Sequence, residues 1–228
     1  MCLIVTAFVD GRHADAPVEE WVFAAWRQDA TLGVVSGHRI VGRTAWYWSA
    51  LAREGHPLLH ITDFEVPVRN ADPFIVKGEA LWAEHTREAA MEQWSIGNET
   101  YASALDDPED ALGRAYGTPT PIAFDLEWYA TGDAREIDAT NSGYEQPGVV
   151  HGRIEVLGEP PIDVAEIPAW RWHRWAESGD RAAEIAPLAL PEAVAHTGVR
   201  APFVFPDGSV SDWVLSPRGW RSRAPRPV

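Results

Sequence analysis

The chain has 228 residues, enough for one large domain or two small ones, and a formal net charge of −15 at pH 7. Its acidic residues are spread along the sequence, which argues against binding to nucleic acid or to an anionic membrane surface. The single cysteine, Cys2, excludes an internal disulfide. The opening residues lack the features of a signal peptide, and no later run is long and apolar enough to span a bilayer. We therefore expect a cytoplasmic protein without membrane insertion.

The first half of the chain alternates apolar and polar side chains with the period of a β-strand. This alternation predicts strands over residues 20–27, 31–41, 43–53, 58–68, 74–85 and 91–105, with a turn at 70–73 and a hairpin connection at 84–92. A brief helix is predicted after Asp107, because Pro108 suits the first helical position and Gly113 ends the helix.

The clearest strand pattern covers residues 119–130, where an apolar set alternates strictly with an acidic or polar set. On a pleated strand the two sets point to opposite faces. One face carries Ile122, Phe124, Leu126 and Trp128, and the other carries Ala123, Asp125, Glu127 and Tyr129. The apolar face is predicted to be core. The acidic face is solvated in an ordinary sandwich, whereas in a barrel that opens around a ligand it lines the cavity.

The remainder of the chain continues the β pattern after a polar loop at 131–143. Further strands are predicted over 146–157 and 169–175, and a hairpin that turns at Asp207 and Gly208 joins 203–205 to 210–215. These elements predict an all-β, antiparallel fold with very little helix, either a barrel or a sandwich. We expect two fused halves, residues 1–117 and 118–228.

Several common functional motifs are missing from the sequence: the glycine-rich nucleotide loops, the serine-hydrolase elbow and the H-E-x-x-H metal motif. Among the eight histidines only His56 and His60 are close in sequence, and they flank a turn. A metal site needs several convergent ligands. We therefore expect neither a metal nor a cofactor.

A set of polar residues lies within strands that are otherwise built from large apolar side chains: Glu79, Asn98, Glu99, Asp125, Glu127 and His151. A buried, unpaired carboxyl group has a raised pKa and can act as an acid or base near neutral pH. The alternative is that Asp125 and Glu127 lie on a solvated face and pair with Lys77 or Arg153. Similarly, the twelve tryptophans suit either a wide β core or a pocket that stacks on a flat ligand.

The order of several short motifs between about Glu20 and Trp175 resembles that of a known superfamily. These motifs are E-x-W-x-F, G-R-x-A-W-Y-W-x-A-L, G-x-A-L-W, E-Q-W, L-D-D-P, P-I-A-F-D-L-E-W and G-Y-E-Q-P-G-x-V-x-G-x-I-x-V. They resemble the lipocalin-like hydroxyneurosporene synthase (carotenoid 1,2-hydratase) superfamily and its actinobacterial relatives. The resemblance implies paired lipocalin-like barrels that act on or bind hydrophobic polyenes, terpenoids and polyketide-like molecules. Relatives carry an Asp/His-Ser-Trp-Gly-like segment, for which Trp172 to Trp175 is the nearest match, without the Ser and the Gly.

From these observations we expect a hydrophobic small molecule in a tryptophan-lined cavity, with hydration or cyclisation by acid catalysis. The expected catalytic residues are Asp125, Glu127 and His151. The expected substrate-binding residues are Glu79, Trp82, Trp94, Asn98, Tyr101, Trp128 and His173, with Trp94 and Trp128 stabilising positive charge through their π faces. Two alternatives stay open, a carrier without catalysis and a partner-binding sandwich without a cavity, and a homodimer stays open as the assembly.

Overall fold

The computed structural model of the chain describes residues 8–68, 74–138, 141–176 and 198–223. Cys2 and the turn predicted at 70–73 lie outside these residues. The described chain is almost entirely β, which confirms the predicted class. Its elements are β1 (Val18–Trp26), β2 (Leu32–Val41), β3 (Thr44–Arg53), β4 (Leu58–Pro67), β5 (Phe74–Lys77), β6 (Leu81–Ala89), β7 (Gln93–Leu105), a 3-10 helix (Pro108–Leu112), β8 (Thr118–Ala130), β9 (Arg135–Asp138), β10 (Asn141–Val156), β11 (Ile162–Trp175), β12 (Val199–Val204), β13 (Val210–Ser216) and β14 (Gly219–Arg223).

Eleven strands form one antiparallel sheet that closes on itself. Strands β1 to β4 pair in sequence, the end of β7 pairs with β4, and β7, β8, β10 and β11 continue the sheet until β11 pairs with β1. The β5–β6 hairpin extends the sheet from the first part of β7, and β9 pairs with β10. We call this closed ring of strands the barrel. The boundary predicted between residues 117 and 118 lies between β7 and β8, which pair with each other along most of their length.

The inside of the barrel holds the larger of two hydrophobic cores. As the alternation predicts, β8 contributes Ile122, Phe124, Leu126 and Trp128 to this core. Phe23 of β1 reaches across to the far wall, where its ring centroid lies 5.4 Å from that of Trp94. Burying one such large side chain contributes roughly 1.5–3 kcal/mol. The apolar face of each strand therefore points into the barrel, where it is removed from water.

A second core lies outside the barrel, where the three-stranded sheet β12–β13–β14 covers the outer faces of β1, β2 and β3. Trp48 and Trp46 of β3 pack there against Phe205, and the Trp220 indole donates a hydrogen bond to the Ala25 carbonyl at 3.2 Å. The predicted hairpin that turns at Asp207 and Gly208 is confirmed as the β12–β13 connection. Both faces of β3 are therefore buried, with Trp46 and Trp48 toward the small sheet and Ala45, Tyr47 and Leu51 toward the barrel core.

Ionic groups are also buried between the barrel and the small sheet. Glu20 accepts hydrogen bonds from Arg39, at 2.8 and 3.0 Å, and pairs with Arg174. The Arg39 guanidinium lies 4.4 Å from the Phe205 ring centroid. Burial would raise the pKa of Glu20, but the charges of Arg174 and Arg39 outweigh burial and lower it.

The structure corrects the prediction of one strand over residues 74–85. The chain turns after Lys77, and the Gly78 amide donates to the Leu81 carbonyl at 2.9 Å, so two strands form in place of one. This turn shifts the alternation by one residue, so Leu81 is buried and Trp82 lies on the outer side. β6 then continues to Ala89, through the segment predicted as a hairpin connection, and β9 lies within the loop predicted at 131–143. No helix of the described residues has the length and apolar character that crossing a membrane requires.

Candidate functional site

The loop before β1 closes one end of the barrel, and Asp10 fastens it there. The Asp10 carboxylate is buried and accepts hydrogen bonds from the Arg171 guanidinium at 2.6 Å and the Tyr144 hydroxyl at 2.8 Å. Its second oxygen accepts from the Met91 amide at 2.6 Å and the Trp94 indole at 3.3 Å. The Asp10 charge is therefore paired and both of its carboxylate oxygens accept hydrogen bonds, which holds the loop against the barrel.

Arg171, on β11, brings a positive charge into the barrel interior. Its guanidinium donates two hydrogen bonds to the Gln146 side-chain oxygen, at 2.7 and 3.0 Å. It also lies 5.0 to 5.7 Å from the ring centroids of Trp128, Tyr144 and Trp94. Because a buried guanidinium needs opposite charge and hydrogen-bond acceptors, Asp10, Gln146 and the three rings together stabilise it.

Between the Asp10 loop and the apolar core is a partly enclosed cavity of about 330 Å³. Its lining combines three large aromatic rings, two histidines, two arginines and the loop itself, namely Trp21, Phe74, Trp94, His38, His85, Arg12, Arg87, Asp10 and Gly11. The Trp21 indole N–H is buried and has no hydrogen-bond partner among the residues that the structure describes, as is also the case for Trp48, Trp128 and Trp213. The cavity thus joins flat apolar walls to a few charged and hydrogen-bonding groups.

The two cavity histidines belong to a hydrogen-bonded relay that crosses the barrel interior. The Nδ1 atoms of His38 and His85 lie 2.5 Å apart, and His85 Nε2 lies 2.9 Å from the Ser36 hydroxyl. Ser36 lies 3.1 Å from the Tyr47 hydroxyl, which accepts a hydrogen bond from the Asn98 amide at 2.9 Å. Because the hydroxyls and the neutral imidazoles can reverse their roles, the relay can run in either direction. His38 Nε2 is accordingly either a donor or an acceptor.

Burial determines the protonation state of this relay. Burial lowers the pKa of His85 to about 3, and burial together with the charge of His85 lowers that of His38 well below its usual range. Burial also raises the pKa of Tyr47 to about 12. At neutral pH, therefore, both histidines are uncharged and the tyrosine keeps its proton. The cavity presents neutral imidazoles and not imidazolium acids.

A third polar group lies beside the cavity, on the other side of Trp21. The Trp21 ring is stacked between His38 and His173, with centroid separations of 4.9 and 4.5 Å. His173 Nε2 lies 2.7 Å from the Glu19 carboxylate, and so does His13 Nδ1. Burial lowers the pKa of His173, although the hydrogen bond and charge of Glu19 oppose this.

The three predicted catalytic residues, Asp125, Glu127 and His151, lie on the outer side of the barrel. Asp125 is exposed, and Glu127 accepts hydrogen bonds from Ser95 at 2.8 Å and Gln93 at 3.0 Å. His151 is half-buried, and its ring meets that of Tyr129 edge-on. This corrects the expectation that these groups look into the cavity. The strand alternation that directs Phe124, Leu126 and Trp128 inward directs Asp125 and Glu127 outward.

The predicted binding residues are divided between the two sides of the sheet. Trp94, Asn98, Trp128 and His173 are buried inside the barrel, and of these Trp94 lines the cavity. Trp82 lines an open outer groove of about 580 Å³, together with Asp125, Glu127 and further acidic residues. Glu79 and Tyr101 are exposed. Trp94 and Trp128 are thus separated by the sheet from the acids with which they were expected to act.

Sequence reasoning missed Asp10, His38, His85 and Arg171 as functional residues. The strand pattern does indicate two of them. His38 shares the inward face of β2 with Ser36 and Ile40, and His85 shares the inward face of β6 with Leu81 and Ala83. A histidine on an apolar strand face marks an interior polar position. Nothing in their spacing predicts that the two rings meet, since they come from separate hairpins.

Comparisons of the chain with protein-family models, with curated proteins and with solved structures find no match. The resemblance to the hydroxyneurosporene synthase superfamily, including its lipocalin-like character, therefore stays a prediction that depends on the motifs quoted above.

Proposed function

We propose that this protein binds a compact, mainly apolar small molecule that contains a ring, in the cavity between the Asp10 loop and the barrel core. The observation that carries the proposal is the cavity lining, in which the flat rings of Trp21, Phe74 and Trp94 meet a few polar and charged groups. Aromatic walls with a few convergent polar groups are the usual composition of a ligand pocket.

The size of the cavity favours a compact ligand. Small-molecule pockets commonly measure about 300–1,000 Å³, and this one measures about 330 Å³. A terpenoid or polyketide-like molecule of one to three rings matches this volume, whereas an extended polyene exceeds it. The flat faces of Trp21 and Phe74 suit a ring because offset stacking on an aromatic face contributes beyond simple burial.

The polar lining favours a ligand with an acidic or hydrogen-bond-accepting group. Arg12 contributes positive charge to the cavity of a protein whose net charge is −15. Among the described lining residues Asp10 is the only carboxylate, and it is already paired with Arg171. A ligand carboxylate or enol near Arg12 would thus meet a favourable potential, and the neutral His38 can either donate a hydrogen bond to the ligand or accept one from it.

The proposal favours binding or transport over the acid-catalysed hydration suggested by the family resemblance. An acid catalyst must lie within hydrogen-bond distance of the group that it protonates. Asp125, Glu127 and His151 lie outside the barrel, and the histidines at the cavity are neutral. Support for the hydratase or cyclase hypothesis is therefore confined to the sequence motifs.

Isothermal titration calorimetry with 2-naphthoate as the probe tests this proposal. We expect saturable binding to one site, weaker binding of 2-naphthylmethylamine because its charge is reversed, and a loss of roughly 10-fold in naphthoate affinity for Phe74→Ala. Phe64→Ala is the matched control, since Phe64 packs beside the small sheet near Phe205. Absence of saturable binding, or equal losses for the two variants, contradicts the proposal.

A second candidate function is general-base catalysis, favoured by the uncharged His38–His85 pair at the cavity. A neutral imidazole can remove a weakly acidic C–H proton from a bound ketone, and the resulting imidazolium then returns a proton to the enolate carbon, after exchange with solvent. The test is deuterium exchange at the α carbon of 2-tetralone, followed by NMR. Exchange that is faster with the wild type than with His38→Phe supports catalysis, and equal rates exclude it.

A further inference from the structure

Three side chains of metal-binding type converge beside the cavity. His13 Nδ1 and His173 Nε2 each lie 2.7 Å from Glu19 Oε1, and all three ligand atoms lie within 4.8 Å of one another. Glu19 is on β1, His173 is on the neighbouring strand β11, and His13 is in the loop before β1. Two imidazoles and one carboxylate are the ligand set of many zinc sites.

His13 Nδ1 and His173 Nε2 both point at the same carboxylate oxygen, Glu19 Oε1. With its proton on Nε2, His173 donates a hydrogen bond to Glu19. With its proton on Nδ1, 3.3 Å from the Tyr144 oxygen, it presents an Nε2 lone pair that can bind a cation. A cation can therefore replace the proton that these atoms otherwise share.

We propose that this cation is a divalent d-block metal ion, Zn²⁺ in the first place, bound by His13 Nδ1, Glu19 and His173 Nε2. Ligand atoms at about 2.0–2.1 Å from a tetrahedral zinc ion lie roughly 3.3 Å apart. Each imidazole nitrogen, now 2.7 Å from Glu19 Oε1, would therefore have to move about 0.6 Å away from that oxygen. Nitrogen and carboxylate ligands together favour Zn²⁺, Co²⁺ or Ni²⁺ over Mg²⁺ and Ca²⁺.

The surroundings hold these ligands in place. The His13 amide donates to both Glu19 carboxylate oxygens, at 3.0 and 3.1 Å, and the His13 ring stacks on Trp175 with centroids 4.0 Å apart. Tyr144 orients His173 from its far side. Hydrogen bonds to ligating side chains of this kind fix the tautomer and the ring orientation.

The exposure of the ligands favours a site that stays accessible to solvent. The side chains of Glu19 and His173 are 1% and 0% exposed, but that of His13 is 25% exposed. A metal ion can therefore enter past His13 and keep water in its remaining position. Binding would join the loop that carries Asp10 and His13 to β1 and β11, and so would stabilise the wall of the cavity. This inference does not depend on the proposed ligand.

The experiment uses the full-length protein after dialysis against EDTA and then against metal-free buffer. Calorimetry with ZnCl₂ is expected to give one site per chain, Zn²⁺ to raise Tm by several degrees, and CoCl₂ to give the visible absorption of tetrahedral Co²⁺. His13→Gln should weaken Zn²⁺ binding by at least roughly 10-fold. Because His13 is partly exposed, this variant should fold, which circular dichroism checks.

The matched control is His56→Gln, which removes an exposed histidine from the turn between β3 and β4 and should leave Zn²⁺ affinity unchanged. Absence of saturable Zn²⁺ binding by the wild type overturns the inference, and so does equal affinity of the wild type and His13→Gln. Loss of 2-naphthoate binding with Zn²⁺ binding retained would count against the proposed function and leave the metal site standing.

Discussion

The Nδ1 atoms of His38 and His85 lie 2.5 Å apart inside the barrel, although the two residues belong to different hairpins. At this distance one imidazole must donate and the other accept, so the hydrogen bond is lost when both rings carry an additional proton. A second buried histidine, His60, bonds to the Pro202 carbonyl at 2.9 Å where the small sheet meets the barrel. Both sites therefore couple folding to pH.

The first prediction concerns the pH dependence of stability. Burial lowers the folded-state pKa of His60 to about 4 and that of His85 to about 3, below an unfolded value of about 6.5. Between these values the unfolded chain binds more protons, so stability is fully present above pH 6.5 and falls as the pH drops. His60 alone accounts for a loss of roughly 3 kcal/mol between about pH 6.5 and pH 4.

Urea denaturation of the wild type and of His60→Gln between pH 7.5 and 4 measures this effect. The variant should show a shallower fall in the free energy of unfolding, because its glutamine does not titrate. The lowered pKa of Glu20 also makes the folded state less stable as the pH falls. This contribution is the same in both proteins, so it cancels in the comparison. Identical pH profiles would show that His60 does not contribute.

The second prediction concerns the buried pair of Asp10 and Arg171. Asp10→Ala leaves the guanidinium without its carboxylate in the barrel interior, and we expect it to lower the free energy of unfolding by roughly 3–5 kcal/mol. The double variant Asp10→Ala/Arg171→Met should recover part of this loss, because it removes the unpaired charge as well.

Arg135→Ala is the control for that experiment, since it breaks the surface pair with Glu145, in which Arg135 is largely exposed. We expect it to change stability by less than about 1 kcal/mol. Urea denaturation of the four proteins measures all of these values. The interpretation fails if the double variant is less stable than Asp10→Ala.

The third prediction concerns the outer core. Trp48 is fully buried beneath the small sheet, and Trp48→Ala should lower the free energy of unfolding by roughly 3–5 kcal/mol because it leaves a cavity there. Tyr116→Ala removes an aromatic ring that is 76% exposed and should change stability by no more than about 0.5 kcal/mol. Similar values for the two variants would show that the small sheet is not firmly packed on the barrel.

Much of the fold follows from strand alternation, as β8 illustrates. Phe124 and Leu126 are inside and Asp125 is outside because successive side chains on a strand oppose each other and the apolar set is more stable away from water. Strand alternation likewise places Trp46 and Trp48 on one face of β3. It did not predict the small sheet that covers them, since a local pattern holds no information about which distant segment packs on a face.

The candidate site was less predictable than the fold because it depends on how the ring of strands closes. Asp10, His38, His85 and Arg171 meet only after β1, β2, β6 and β11 take their places in the barrel. The acidic residues on β8 have the stronger local signal, but they are on the solvent side. The polar residues within strands thus indicated that some polar side chains lie inside the barrel, but not which ones.

The fourth prediction compares the two sides of the sheet directly. Asp125→Asn and Glu127→Gln should leave the affinity for 2-naphthoate unchanged, because both side chains lie on the outer side of the barrel. Arg12→Gln should weaken binding of the carboxylate more than that of the neutral 2-tetralone. Calorimetric titration of the three variants with both probes measures this. A large loss of 2-naphthoate affinity for Asp125→Asn would indicate that the binding site is the outer groove and not the interior cavity.

A crystal structure of the protein with 2-naphthoate is the most direct test of the interior site. We predict ligand density in the cavity, with the ring against Trp21 and Phe74 and the carboxylate toward Arg12. Density in the outer groove beside Trp82 and Asp125, with the interior cavity closed, would contradict it.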